Sequence, residues 1–199
     1  NGKRFVDEGL DFHSFTYAKY GGEVLKQPGQ FAWQVFDAKV SKLLRSEYRI
    51  KMMTKVSANT IEELATKLEG VNPDAFIETV RNYNAAVKAD VPFDSTVKDG
   101  KGTEGIEPPK SNWAQALDTA PFDAYATTCG ITFTFGGLRI DANNGQVLDG
   151  MQVPVPGLFC AGEMVGGLFY FNYPSGTGLV SGSLFGRLAG DGAGRQAMA

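Results

Sequence analysis

The sequence predicts an α+β fold made of two regions that differ in charge and in glycine content. Of its 19 Lys and Arg residues, 16 precede residue 126, whereas 16 of its 25 glycines lie between Gly130 and Gly194. Helical periodicity with recognisable caps dominates the first region, and short apolar segments separated by turn residues dominate the second. We therefore expect a helical region with a small sheet, followed by strands and a final helix.

Two helices in the first region are predicted from their caps. Thr60 followed by Glu63 has the form of a capping box, and the helix that it opens is expected to end near Gly70. Asn72 followed by Pro73 is typical of an N-cap with proline at the first helical position. Two apolar stripes have helical spacing, and they comprise Ile61, Leu64, Ala65 and Leu68, then Phe76, Val80, Tyr83 and Val87. We expect the two helices to pack against each other.

The rest of the first region yields one strand and one long surface segment. Residues 31–36, Phe-Ala-Trp-Gln-Val-Phe, have the composition of a strand. Residues 90–112 are rich in Pro, Gly, Asp and Lys, which predicts an irregular segment on the surface. The region as a whole is equally compatible with a solvated packing domain that carries no chemistry.

Turn signals divide the second region into short strands. The Asn-Asn-Gly sequence at 143–145 is typical of a tight turn between strands. The Pro-Val-Pro-Gly sequence at 154–157 is expected to lead into a short apolar strand. The predicted strands are residues 128–135, 138–141, 146–148 and 158–161.

A helix is predicted to begin near Ser175-Gly-Thr-Gly178 and to carry glycines at intervals of four residues, at 178, 182, 186, 190 and 194. Glycine lowers helix stability by roughly 1 kcal/mol relative to alanine. Such a row of glycines predicts close approach of another backbone or of a flat ligand; the alternative is a flexible tail. The helix opening offers backbone N–H groups and a positive dipole end to an anionic group. The aromatic segment before it, residues 166–174, suits the floor of a pocket for a ring system, or a place in the core.

Composition excludes several classes of function. The net charge of −3 argues against nucleic acid as the main partner, and no apolar run is long enough to span a membrane. Cys129 and Cys160 have no metal-ligand spacing and are expected to be small buried residues. With His13 as the one histidine, a zinc site or a histidine-based triad is not expected. A reducing, cytoplasmic setting is predicted. The opening residues contain no Met, which suggests an excised fragment.

An ordered set of motifs resembles the C-terminal half of the fumarate reductase/succinate dehydrogenase flavoprotein family. The motifs lie at residues 136–141, 156–163, 166–167, 175–179 and 185–190, and residues 1–8 resemble the segment that leads into the capping domain of that family. The sequence Asn172-Tyr-Pro-Ser-Gly-Thr-Gly178 is similar to the branch that contains tricarballylate dehydrogenase. The resemblance implies an FAD-dependent oxidoreductase with a Rossmann-like FAD domain interrupted by a mobile cap.

The resemblance also implies a domain layout. Residues 18–125 would form the capping domain, and residues 1–17 and 126–199 would belong to the FAD-binding domain. The strand–helix unit with a Gly-x-Gly-x-x-Gly turn, which holds the pyrophosphate in this family, is absent from the sequence. An N-terminal half of the same protein is therefore an expected partner, and the chain alone is expected to bind FAD weakly and to be inactive.

By the same resemblance, several residues are candidate FAD contacts. Glu163 would contact the ribityl or ribose hydroxyls, and Gly178 and Leu179 would offer N–H groups to the flavin N1/C2 carbonyl edge. Glu8 would lie near the boundary between flavin and cap. Ser175, Gly176 and Thr177 complete the predicted cofactor-binding set.

The sequence departs from fumarate reductases at the substrate-binding positions. Thr132 and Phe133 stand where that family has histidines, and Tyr173 stands where it has an arginine. A tyrosine followed by proline resembles the ketosteroid dehydrogenases of the same superfamily, in which the phenol polarises a substrate carbonyl. Tyr173 is the predicted catalytic residue.

The predicted reaction moves hydride between flavin N5 and a carbon next to a carboxylate or carbonyl of a small-molecule substrate. An electron-transfer partner is also possible for such an enzyme. The alternatives are a non-catalytic cap or packing module, and a flavoprotein that acts on a steroid or tetrapyrrole ring.

Overall fold

The computed structural model describes residues 1–131 and 134–199, and they form two compact units. The first unit contains Asn1–Phe12 and Tyr20–Cys129, and the second contains His13–Lys19 and Gly130–Ala199. The sequence placed residues 1–17 with the C-terminal region, but residues 1–12 pack within the first unit. Long-range hydrogen bonds explain this difference, because Thr79 donates to the Gly2 carbonyl at 2.7 Å and the Ser111 N–H donates to Asp7 Oδ1 at 2.9 Å.

A three-stranded antiparallel sheet forms the frame of the first unit. Its strands are β1 (Phe31–Phe36), β2 (Lys55–Ala58) and β3 (Phe122–Thr128), and β3 lies between the other two. The bounds of β1 are those expected from the sequence. Helix α1 (His13–Leu25) precedes the sheet, and short 3₁₀ turns lie at Pro28–Gln30, Ala38–Val40 and Ser46–Arg49.

Helices α2 (Ile61–Lys67) and α3 (Pro73–Ala86) confirm both predicted caps. Thr60 Oγ1 accepts the Glu63 N–H at 3.0 Å, and Asn72 Oδ1 accepts the Ala75 N–H at 2.9 Å. The Glu63 carboxylate accepts the Asn59 N–H at 3.1 Å, one residue earlier than in a standard capping box. These side chains satisfy N–H groups that a helix leaves without partners at its start.

The core of the first unit lies between α2, α3 and the sheet. Leu64 and Ala124 are fully buried, at 0% exposure. Buried apolar residues from the two helices and the sheet complete the cluster, namely Ala58, Ala65, Leu68, Phe76, Val80 and Phe122. The predicted packing of the two helices is therefore confirmed.

The segment 90–112 is irregular, as expected, but it is fixed at several points. The Asp99 carboxylate accepts N–H groups from Asp94, Lys101 and Trp113 at 3.1, 2.9 and 2.9 Å. Asn112 donates to the Gly9 carbonyl at 2.8 Å. These hydrogen bonds hold the segment against the first unit near both of its ends.

The second unit combines a two-stranded antiparallel sheet with one long helix. Its strands are β4 (Gln146–Leu148) and β5 (Pro154–Phe159), a 3₁₀ turn lies at Gly162–Met164, and α4 spans Thr177–Ala197. Its core contains Val147, Cys160 and Val165. Burial raises the pKa of the Cys160 thiol, as expected for an inert cysteine in an apolar setting. No helix in the described part of the chain is long and apolar enough to cross a membrane.

Three strand predictions in the second region need correction. Strand β3 ends at Thr128, and the described residues from there to Phe135 form no strand. The predicted strand 138–141 is reduced to isolated bridges that Leu138 makes with Val165 and Ile140 makes with Val147. β5 spans Pro154–Phe159 instead of 158–161, because the Pro-Val-Pro-Gly sequence itself belongs to the strand that pairs with β4.

No backbone of the described residues closely approaches the regular glycine row of α4, and approach of a flat ligand there stays a prediction. A Cβ at Gly182 would meet Gly162 Cα at 3.8 Å, an ordinary contact, and one at Gly186 would meet nothing within 4 Å. The tight position is Gly192, where a Cβ would lie 2.6 Å from the Asn144 carbonyl oxygen. Four residues turn an α-helix by about 400°, so a spacing of four drifts by about 40° at each step and leaves the packed face.

Candidate functional site at the start of the long helix

Helix α4 begins where the sequence predicted, but its first N–H groups already have partners. Gly176 is the N-cap residue, with φ +86°, and as a glycine it has no side chain that could cap the helix. The N–H of Gly178 donates to the hydroxyl oxygen of Tyr173 at 2.9 Å, and the N–H of Leu179 donates to the Gly176 carbonyl at 3.1 Å. Thr177 donates its N–H and its hydroxyl to the Pro174 carbonyl, at 3.2 and 2.7 Å. The predicted flavin donors are thus engaged within the chain.

The hydroxyl oxygen of Tyr173 lies at the positive end of α4, and aromatic rings surround its side chain. Phe169 and Tyr17 meet the Tyr173 ring edge-on, with centroids 4.9 and 6.3 Å away. His13 stacks on Tyr17 at 5.4 Å, one helical turn earlier in α1. Burial, followed by the electrostatic influence of Tyr173, raises the pKa of the Tyr17 phenol. The phenols of Tyr17 and Tyr173 therefore lie within electrostatic reach of each other.

The segment before α4 is anchored to the start of α1. The N–H of Ser175 donates to the Ser14 carbonyl at 2.7 Å, and Asn172 Nδ2 donates to the Phe15 carbonyl at 2.9 Å. Asn172 Oδ1 is buried and has no hydrogen-bond partner among the described residues. A buried acceptor without a partner costs about 1–3 kcal/mol, which a bound group with an N–H or O–H donor would recover.

Two glycines, Gly137 and Gly166, bring the segment containing Glu163 against the segment that precedes residue 138. A Cβ on Gly137 would lie 2.3 Å from the Met164 carbonyl oxygen, and one on Gly166 would lie 2.5 Å from the Gly137 nitrogen. Only glycine permits this approach. The exposed Glu163 carboxylate accepts the N–H of Thr134 at 3.1 Å and its hydroxyl at 3.3 Å.

Glu8 belongs to the first unit, whereas the other predicted site residues belong to the second. Its carboxylate is held by the guanidinium of Arg4, whose Nε donates at 3.0 Å. The same guanidinium donates to the Pro108 and Pro109 carbonyls and lies 5.2 Å from the centre of the Tyr83 ring. Glu8 thus helps to fix residues 1–8, and its proximity to a flavin stays a prediction. Thr132 and Phe133, the positions where fumarate reductases have histidines, lie outside the described residues.

Comparison with known proteins decides the family. The model of the family described as FAD binding domain matches residues 1–179, nearly the whole chain. The chain belongs to this FAD binding domain family.

Relatives of known name agree with this assignment. A probable fumarate reductase from Shewanella frigidimarina is 34% identical over 100% of this chain and 30% of its own length. The open form of a flavocytochrome c3 fumarate reductase matches with a TM-score of 0.64 at 31% identity, over 100% of this chain and 32% of that one. A 3-ketosteroid-Δ4-(5α)-dehydrogenase from Rhodococcus jostii matches with a TM-score of 0.69 at 29% identity, over 96% and 37%. The chain spans about a third of the length of these relatives.

The site at the start of α4 fits FAD, the cofactor of this family. The buried Asn172 Oδ1 suits a ring N–H donor, and the positive dipole end of α4 suits an electron-rich group. Leu179, at 81% exposure, presents apolar surface beside that turn. No group of three or more candidate metal ligands occurs among the described residues.

Sequence reasoning missed Tyr17, His13 and Asn172. The signal for the first two was their spacing of four residues on α1, which places them on one face. Asn172 was read only as part of a motif. Its role as an anchor depends on the Phe15 carbonyl, 157 residues earlier, and no local pattern reveals such a contact.

Proposed function

We propose that the protein is part of an FAD-dependent oxidoreductase that transfers hydride between flavin N5 and a substrate carbon next to a carboxylate or carbonyl. In this proposal Tyr173 donates a hydrogen bond, and then a proton, to the substrate oxygen or to the carbon beside it. The observation that carries the proposal is the hydrogen bond from the Gly178 N–H to the Tyr173 hydroxyl oxygen at 2.9 Å.

This hydrogen bond orients and polarises the phenol. A tyrosine hydroxyl has one proton to donate, and here its oxygen already accepts an N–H. The proton must therefore point away from α4. A phenol held in this way suits the stabilisation of an enolate-like charge on a substrate carbonyl or carboxylate.

The cofactor is assigned to the same end of α4. FAD supplies the hydride acceptor or donor when it is bound. Ser175, Gly176, Thr177, Gly178 and Leu179 would line its ring, and Glu163 would contact its ribityl or ribose hydroxyls. The Leu179 N–H donates to the Gly176 carbonyl at 3.1 Å, so a contact with the flavin requires it to leave that partner.

The proposal also includes a domain layout, a branch of the family and an electron-transfer partner. Residues 18–125 would form a cap over the substrate, and residues 1–17 and 126–199 would belong to the FAD domain, although residues 1–12 pack with the first unit. A relation to the tricarballylate dehydrogenase branch and an electron-transfer partner stay predictions. The fumarate reductases and steroid dehydrogenases among the relatives support hydride transfer at a carbon beside a carboxylate or ketone.

Replacement of Tyr173 with phenylalanine in the full-length protein tests the proposal. We expect turnover to fall by roughly 10²–10⁴-fold, because the phenolic proton donor is lost. Flavin content, measured by absorbance, should be retained. The matched control is Tyr20→Phe, which removes a phenol that donates to the Asp7 carbonyl in the first unit and is assigned no catalytic role. Turnover within a few-fold of wild type in Tyr173→Phe would contradict the proposed role, because Tyr173 would then only cap α4.

A further inference from the structure

Positive charge is concentrated in one segment of the first unit, residues 39–55. This segment holds six of the 19 Lys and Arg residues of the chain and one of its 22 Asp and Glu residues, although the net charge of the chain is −3. Three of the cations have carboxylate partners, namely Lys39 with Asp37 and Asp118, Arg45 with Glu47, and Lys55 with Asp123. The other three, Lys42, Arg49 and Lys51, are exposed and form no ion pair with the described residues.

Exposed aliphatic side chains alternate with these three cations along the sequence. Leu43 is 54% exposed, Ile50 is 57% exposed and Met52 is 88% exposed. Cations beside exposed apolar side chains are typical of segments that lie at a membrane interface. There the cations meet anionic headgroups and the apolar side chains enter the layer between them.

The segment is held against the sheet of the first unit. Tyr48 packs edge-on against Tyr125 and Phe36, with ring centroids 5.0 and 5.5 Å away. The guanidinium of Arg49 donates to the Leu44 carbonyl at 3.4 Å, so the chain folds back on itself between these residues. The aromatic side chain of the segment is therefore turned towards the sheet, and its free cations and aliphatic side chains stay outside.

The charge of this surface restricts what can cover it. Enclosing a cation without an anion costs more free energy than the neighbouring apolar contacts return, so neither apolar packing within the full-length protein nor a neutral partner fits. Lysine is depleted in interfaces between proteins, which favour aromatic residues. Anionic lipids supply negative charge at the headgroups and an apolar layer directly beneath them.

We propose that the basic-apolar patch, formed by Lys42, Leu43, Arg49, Ile50, Lys51 and Met52, docks the protein on an anionic lipid surface. The three cations pair with headgroups, and the side chains of Ile50 and Met52 enter the headgroup layer. The contact is reversible, because few cations take part and salt screens their attraction.

Cosedimentation of the full-length protein with vesicles tests the electrostatic part. We expect binding to vesicles of equimolar phosphatidylcholine and phosphatidylserine, weakening as salt is added, and none to phosphatidylcholine alone. Arg49→Gln combined with Lys51→Gln should reduce the partition coefficient by about 25-fold, or about fivefold for each cation. The matched control, Lys3→Gln with Arg81→Gln, removes the same charges from exposed positions elsewhere in the first unit and should change it by less than about twofold. Equal losses in the two double variants would overturn the inference.

Tryptophan fluorescence tests the apolar part. Phosphatidylserine vesicles with brominated acyl chains should quench Met52→Trp more than the wild type. They should not add quenching in Met151→Trp, which replaces a side chain of the second unit that is 80% exposed.

Three results would contradict docking on lipid. Absence of binding to phosphatidylserine vesicles and absence of added quenching at position 52 are the first two. The third is binding to poly-glutamate without binding to vesicles, if it is lost in Arg49→Gln with Lys51→Gln, since the patch would then serve an acidic protein. None of these measurements depends on turnover, so they leave the proposed role of Tyr173 untouched.

Discussion

The two units bury their apolar side chains to very different extents. In the first unit Leu64 and Ala124 have 0% exposure, and the surrounding helices and sheet close a cluster of eight buried residues. Among the described residues of the second unit the buried cluster contains three, whereas Leu179 and Val180 are 81% and 67% exposed.

The two units therefore differ in what their apolar side chains do: the first unit buries them in a core, and the second leaves many of them exposed. Burial stabilises a fold by about 25 cal/mol for each Å² of apolar surface removed from water, and the first unit uses that term fully. The second unit holds its aromatic segment and the start of α4 by backbone hydrogen bonds, and it leaves apolar surface outside. Exposed apolar patches mark surfaces that bind ligands or other protein. Its side chains are therefore better explained by binding than by stability.

The largest change in stability is expected for a buried leucine of the first unit. Leu64→Ala should lower the free energy of unfolding by about 2–5 kcal/mol, because it leaves a cavity in a fully buried site. Leu179→Ala truncates an exposed leucine on α4, so it should change the free energy of unfolding by less than about 0.5 kcal/mol. Urea unfolding followed by circular dichroism gives both values. Similar losses in the two variants would mean that the second unit also depends on its α4 side chains for stability.

The same substitution at two glycines of α4 should act in opposite directions. A Cβ at Gly192 would meet the Asn144 carbonyl oxygen at 2.6 Å and Phe159 Cε1 at 2.8 Å, so Gly192→Ala should destabilise by about 1–3 kcal/mol. A Cβ at Gly186 meets nothing within 4 Å, so Gly186→Ala should stabilise the helix by up to about 1 kcal/mol. Thermal unfolding of the two variants checks the signs. A loss at Gly186 in the full-length protein would show that a further group packs there.

The smallest effect concerns the segment 90–112 of the first unit. Burial alone would raise the pKa of the Asp99 carboxyl, but N–H groups from Trp113, Asp94 and Lys101 hold that pKa below its usual value. Its contribution to stability is therefore fully present above the unfolded pKa of about 3.9 and is lost as pH falls through the lower folded value. Asp99→Ala should expose the segment to proteolysis at neutral pH, with cuts mapped by mass spectrometry.

Wild-type protein provides the control for that experiment. Its cuts should be restricted to the exposed tip at residues 94–98, because Asp99 and Asn112 fix the flanking backbone. Identical cleavage of wild type and Asp99→Ala would show that the carboxylate does not hold the segment.

Local signals in the sequence were sufficient for several elements. Thr60 and Asn72 cap helices through hydrogen bonds that span three residues, and both were predicted correctly. β1 and the turn at Gly145, with φ +73°, also follow from a few adjacent residues. The start of α4 at Thr177 was visible in the glycines that precede it. The order of the motifs was enough to predict the family.

Other features depend on residues far apart in the chain, and only the tertiary structure decided them. The Tyr173 hydroxyl accepts the Gly178 N–H because the aromatic segment folds back over the start of α4 and is anchored to α1. Gly192, not the regular glycine row, lies against other backbone, since helix geometry rotates a four-residue spacing away from one face. A short-range pattern specifies which hydrogen bonds a turn can make, but the position of a distant backbone decides which atoms it meets.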